Sequence, residues 1–203
     1  MKALPSEIFS QIASLFYSSA ILSAISEAIA PAPGLTLLDV PCGTGTLRSI
    51  CAPCTYMGVD IDESRVRAAR LKFRNTDEFC VGNAAALDYP AGSFDRILAA
   101  GLFHHVDDGL AQAILTEFAR LLKPSGQVVV FEAIWPRRWY NFIGYVARKM
   151  DQGNYVRHPG HYDALFSKRF TVRSREFTSM LGLDYLLETL TPNAGKGIVE
   201  PGA

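Results

Sequence analysis

The stretch Leu37-Leu38-Asp39-Val40-Pro41-Cys42-Gly43-Thr44-Gly45 joins an apolar run to an acidic side chain and then to a glycine-containing turn. Glycine lets backbone come close to a ligand, and the start of a following helix offers N–H groups to a negative group. Twenty-one positions after Asp39 stands Asp60, in Gly58-Val59-Asp60-Ile61-Asp62. An ionised carboxylate has two acceptor oxygens, enough for both hydroxyls of a ribose. The competing role for this acidic pair is to cap a helix opening near Glu63; Asp62 suits the cap and Asp60 the sugar. A dinucleotide site needs Gly-x-Gly-x-x-Gly, and counted from Gly43 the third position is Arg48. An acid at the strand end would also repel a pyrophosphate, whereas it suits an ammonium group.

The groups able to move a proton are His104, His105, Glu132, His158 and His161. A neutral imidazole accepts a proton near neutral pH. His104-His105 follows the apolar run Phe94–Ala99, and on an extended segment only one of two neighbours faces the site. His105 is the first candidate base and His104 the second; shaping the pocket is the competing role for both. His158 and His161 read equally well as surface residues. Cys51-x-x-Cys54 would need a second pair of ligands to hold zinc, and only His104-His105 offers one. A redox pair should open a helix after a strand, and this one precedes a strand. Four cysteines in this chain therefore read as reduced thiols, with Cys42 and Cys80 as small hydrophobes, and no metal site is expected. Tyr145 and Lys149 have the Tyr-x-x-x-Lys spacing of a nicotinamide-dependent reductase, a rival class whose glycine signature is missing.

These residues need a scaffold, and the chain has the material for one. Its 203 residues are 49% hydrophobic and 20% charged, the composition of a globular domain with a sizeable core. Twenty basic and twenty acidic residues cancel, which argues against nucleic acid as a partner. Ile8–Ala30 is apolar at helical spacing but broken by Ser14, Ser23, Glu27 and others, so it reads as an amphipathic cap rather than a signal peptide or an inserted span. The chain is read as cytoplasmic. Beyond Pro31-Ala32-Pro33-Gly34, strands are predicted at Leu35–Val40, Thr55–Val59, Glu78–Val81, Phe94–Ala99 and Gln127–Ala133. Helices are predicted at Thr46–Cys51, Glu63–Phe73 and Leu110–Leu122, the last closed by the turn Lys123-Pro124-Ser125-Gly126. Ile134–Met150 is aromatic and basic, Asp151–His161 loop-like, Phe170–Glu176 and Asp184–Thr189 closing strands, and Thr191–Ala203 a disordered tail. The expectation is one α/β domain: a doubly wound, mostly parallel seven-stranded sheet with helices on both faces and an N-terminal helical cap (1–30). It has a core at 35–135 and an acceptor-side insert at 135–168.

The chain resembles the class I S-adenosylmethionine-dependent methyltransferases of small-molecule type, over roughly residues 35–135. Asp39 through Gly45 matches the acidic glycine turn, with Pro41 where the pattern most often has its first glycine. Gly58-Val59-Asp60-Ile61 matches the ribose motif, and Gly82-Asn83-Ala84 resembles the loop that brackets the adenine, with Asn83 where the family often has Asp. Phe94–Leu98, Leu121–Gly126 and Val128–Glu132 complete the series. The resemblance implies a Rossmann-like fold with S-adenosylmethionine as cofactor and S-adenosylhomocysteine as product. It implies that Asp39, Pro41, Gly43 and Gly45 hold the methionine end, Asp60 the ribose, and Ile61, Asn83 and Ala84 the adenine. Ala100, Gly101 and Leu102 line the opposite side. The implied acceptor is a small molecule methylated at oxygen in preference to nitrogen or carbon. A non-catalytic cofactor-binding module is the further alternative, and the oligomeric state is open.

Overall fold

A computed structural model describes residues 17–75, 77–150, 153–180 and 182–193. Strands β1 (Thr36–Asp39), β2 (Thr55–Asp60), β3 (Phe79–Val81), β4 (Phe94–Ala100), β5 (Leu122–Ile134), β6 (Phe170–Met180) and β7 (Leu183–Pro192) form one sheet in the order β3-β2-β1-β4-β5-β7-β6. The first five are parallel, and β7 runs antiparallel to both of its neighbours. The chain leaves β1 toward β2 on one side and returns as β4 on the other. The carboxyl ends of β1 and β4 therefore flank the switch point, where such sheets bind ligands.

Helices α1 (Ser19–Ile29) and α2 (Glu63–Phe73) cover one face. Ile21, Ile25 and Ile29 recur every four residues on α1 and bury against Leu37, Leu98, Val129 and Leu187. Helices α3 (Asp108–Leu121) and α5 (Pro159–Phe166) cover the other face, where Ile114, Phe118, Tyr162 and Phe166 meet Leu38, Ile97, Val128 and Val130. Helix α4 (Phe142–Met150) lies in the insert beside β7. Asp62 and Asp107 cap α2 and α3, accepting the N–H groups of Ser64 and Leu110 at 2.8 Å each. Among the described residues no helix is long and apolar enough to cross a membrane.

The structure corrects several sequence expectations. Thr46–Cys51 is not an α-helix; a 3₁₀ turn, Arg48–Cys51, follows irregular turns. Gly45, at φ 73°, delays the helical start and Pro53 holds Ala52 extended, so only one short turn forms between them. Lys123–Gly126 ends α3 as expected but is drawn into β5, where the pairing with β4 shifts register. Helix α5 begins at Pro159, inside the stretch expected to be loop, and β6 and β7 extend beyond their predicted ends. Thr191 and Pro192, expected in the tail, close β7; residues 194–203 of that tail and 1–16 of the expected cap lie outside the described residues.

Candidate functional site

The acidic turn is built by stitching it to the strands on either side. Val40 N–H donates to the Leu98 carbonyl and Cys42 N–H to the Val59 carbonyl, each at 2.9 Å, so β4 and β2 fix the path out of β1. The Val40–Pro41 peptide is cis, and Gly43 and Gly45 hold positive φ of 54° and 73°. A Cβ on Gly43 would point into open space, whereas on Gly45 it would come within 2.5 Å of the Phe73 ring. The first glycine therefore leaves room above the turn, and the second lets the turn pack on α2 and β3.

Asp39 closes β1 at 1% exposure. Its Oδ2 accepts the Tyr56 hydroxyl at 2.7 Å, and its Oδ1 has no partner among the described residues. Burial pushes its pKa up to about 7; the Tyr56 hydrogen bond opposes that shift and the neighbouring Asp60 adds to it. Asp60 accepts Gly43 N–H at 2.8 Å on Oδ2 and Asp62 N–H at 2.9 Å on Oδ1, which ties the end of β2 to the glycine turn. Each oxygen keeps a second lone pair for a hydroxyl donor. Beside it Ile61 is 73% exposed, a large apolar side chain left in water at the mouth of the turn. Across from it, Asn83 Oδ1 accepts Ala85 N–H at 3.0 Å and shapes the loop after β3. Glu117 and Arg120 of α3 hold that loop through Leu87 N–H and the Leu87 and Tyr89 carbonyls.

The loop after β4 hangs on Glu132. This fully buried carboxylate accepts Leu102 and Phe103 N–H at 2.6 Å and bonds the His104 ring Nδ1 at 2.7 Å. Glu132, read from sequence as a candidate base, is thus an organiser of backbone. Phe103–His105 forms a 3₁₀ turn rather than an extended segment, so the two histidines do not point oppositely; their ring centroids lie 4.0 Å apart. His104 is buried, while His105 is exposed. Buried Arg157 bonds the carbonyls of Phe103 and Val106 and the carboxylate of Asp108, and Tyr155 N–H donates to the His104 carbonyl at 3.0 Å. Ala100 lies buried at the end of β4, and Gly101 takes φ 70° with its N–H on the Phe131 carbonyl. The Leu102 side chain turns into the core, so only its backbone is left to face the site.

His158 and His161 are exposed at the start of α5. Cys51 and Cys54 are buried free thiols, and burial pushes the Cys51 thiol up, as inert core cysteines require. Among the described residues no cluster of His, Cys, Asp or Glu could hold a metal. Tyr145 donates to the Pro136 carbonyl at 3.4 Å, a packing role within the insert. Sequence reasoning missed an aromatic wall. Phe131 stacks on Tyr185 at 5.1 Å and tilts against Tyr17 at 5.9 Å. Burial, and after it the carboxylates of Asp39 and Glu132, push the Tyr17 phenol up.

Residues 38–130 match the family described as the methyltransferase domain. Over that stretch, a little under half of the chain, it is similar to the class I S-adenosylmethionine-dependent methyltransferases. It is 34% identical over 112 residues to the demethylmenaquinone methyltransferase of Lactococcus lactis subsp. lactis, covering 51% of this chain and 44% of that one. It is also 34% identical over 128 residues to the nocamycin O-methyltransferase of Saccharothrix syringae, covering 56% and 44%. The chain thus spans less than half the length of these two relatives. The solved PH0226 protein of Pyrococcus horikoshii OT3 shares the fold, with a TM-score of 0.69 at 20% identity and 92% of each chain covered. The cofactor of this methyltransferase family, S-adenosylmethionine, carries an ammonium, a ribose and an adenine. The site fits all three: a buried carboxylate oxygen on Asp39 with no partner among the described residues, the paired oxygens of Asp60, and exposed Ile61, with open space over Gly43. The expected helix dipole behind the turn is absent, because only the 3₁₀ turn follows it.

Proposed function

We propose that the chain moves a methyl group from S-adenosylmethionine to an oxygen of a small, planar acceptor. The observation that carries this reading is the buried Oδ1 of Asp39, unpartnered among the described residues, at the end of β1 where the chain enters the turn with open space over Gly43. A buried polar atom without a partner is costly, and a ligand ammonium would satisfy it with a charge-assisted bond. Asp39, Pro41, Gly43 and Gly45 then hold the methionine end, and Asp60 takes the ribose hydroxyls. Ile61 packs on the adenine between Asn83 and Ala84, and Ala100 with Gly101 closes the opposite side. Leu102 takes part only through its backbone, since its side chain lies in the core.

When bound, the cofactor supplies an electrophilic methyl on a sulfonium. The protein's work is alignment and removal of a proton. Positioning of two reactants is worth about 7–11 kcal/mol. Glu132 and Arg157 hold the 103–106 turn rigidly from two sides, so His105 is presented at a fixed place after β4. His105 is the base for a hydroxyl acceptor, and His104 positions it by ring contact while anchored to Glu132. The wall of Tyr17, Phe131 and Tyr185 offers flat apolar area to an aromatic or quinoid ring, in keeping with relatives named for demethylmenaquinone and nocamycin. Methyl-labelled cofactor incubated with a panel of phenols and hydroxyquinones tests the reading. Label on a hydroxyl oxygen supports it; label on ring carbon alone, or no transfer with firm cofactor binding, overturns it.

A further inference from the structure

Residues 135–150 contain four basic residues and no acidic one, in a chain whose charges otherwise balance. Within this stretch Trp139 is 80% exposed and Phe142 69%, and Tyr140 and Val146 are exposed as well. Phe142, Val146 and Lys149 follow helical spacing along the outer side of α4. The inner side is pinned. Gly144 packs so close to the Gly182 carbonyl that a Cβ would meet it at 2.5 Å. Asn141 Nδ2 donates to the Gly182 carbonyl at 2.7 Å, and buried Arg148 donates to the carbonyls of Ile134 and Asp184. Arg137 N–H donates to Asp184 Oδ2 at 2.7 Å. These bonds fix which side faces out, so the aromatic residues cannot turn inward without breaking them.

From this geometry we propose that Trp139, Tyr140, Phe142 and Val146, with Arg137, Arg138 and Lys149, dock the protein on an anionic lipid bilayer surface. Tryptophan and tyrosine place apolar rings at the headgroup boundary with their polar edges in water, and arginine or lysine beside them meets lipid phosphates. Charge decides among occupants: a second copy of this chain would set the same cations against each other, whereas an anionic bilayer complements them. An open hollow of about 750 Å³ lined by Arg137, Arg138, Tyr140 and Phe142, with Asp184 at its wall engaged by Arg137 N–H and the Ser179 hydroxyl, gives a headgroup a place between the cations and the rings. The stretch leaves β5 at the same end of the sheet as Asp39 and Asp60, so docking turns the mouth of the site toward the membrane. Docking is peripheral and reversible, since nine helical residues lie along an interface and cannot span it.

Flotation of the full chain with phosphatidylcholine vesicles, with and without phosphatidylglycerol, tests the proposal. The protein should float only with the anionic vesicles, lose binding as salt is raised, and show a blue-shifted tryptophan emission that Trp139→Phe abolishes. Arg138→Glu should weaken binding about thirtyfold, two charge units at the surface. Phe142→Ser should weaken it with an unchanged circular dichroism spectrum and melting curve. Absence of flotation with anionic vesicles overturns the proposal. So does a dimer in sedimentation that Trp139→Ser dissolves, if no vesicle binding accompanies it. Neither result bears on cofactor binding at Asp39 and Asp60, which is read separately.

Discussion

A carboxylate at the end of β1, almost wholly buried and facing a second acid, holds its proton up to about 7. An ammonium pairing with Asp39 favours the ionised form, so binding must expel that proton wherever Asp39 is protonated. The sign follows: cofactor affinity should be constant above about pH 7 and fall as pH drops below it, by up to about tenfold per pH unit. Calorimetry with S-adenosylhomocysteine at several pH values checks this; a flat profile through neutrality contradicts the ammonium contact. Asp39→Asn should flatten the profile and weaken binding roughly 10- to 150-fold, the worth of a charge-assisted hydrogen bond. His105 makes a different prediction. His105→Ala should lower turnover about 100- to 10,000-fold, remove the ascending limb of the pH–rate profile and leave cofactor affinity unchanged. Lost turnover with the limb intact would mean that His105 shapes the pocket and takes no proton.

Glu132 ties β5 to the turn after β4, and its removal should be felt as lost structure. Glu132→Ala leaves the N–H groups of Leu102 and Phe103 and the His104 ring without their shared acceptor. The expected loss is about 3–5 kcal/mol, read from denaturant unfolding; a loss below about 1 kcal/mol would show that the turn holds without it. This is also where sequence reading reached its limit. The strand-to-turn geometry around Asp39, Gly43, Gly45 and Asp60 is legible because each sits in a short local pattern, a strand running into a turn. Glu132 looked like a base because an acid at a strand end is ambiguous; only the pairing of β4 with β5 shows which N–H groups it meets. Tyr17, just before α1, meets Phe131 of β5 and Tyr185 of β7, and only the pairing of β5 with β7 and the packing of α1 on that face bring the three together. Lys123–Gly126 ends α3 as its proline and glycine signal, but the same residues mark a register shift inside a strand as readily as a reversal.

Across the whole molecule, a seven-stranded sheet buries two apolar layers and leaves its chemistry at one end, where β1 and β4 part. The α1 face supplies Asp39, the glycine turn and the aromatic wall, and the opposite face supplies Glu132 and the anchored His104. On the proposed reading this scaffold holds the cofactor, and acceptor choice falls to the insert and the N-terminal helix. The central claim is that Asp39, Gly43 and Asp60 form an S-adenosylmethionine site. Isothermal titration of the wild type and Asp60→Ala with S-adenosylhomocysteine, S-adenosylmethionine and NADH tests it most directly. The wild type should bind both adenosyl ligands and not NADH, and Asp60→Ala should weaken both together by about tenfold or more, because they share one ribose. Undiminished binding of both ligands by Asp60→Ala, or a wild-type preference for NADH, would contradict it.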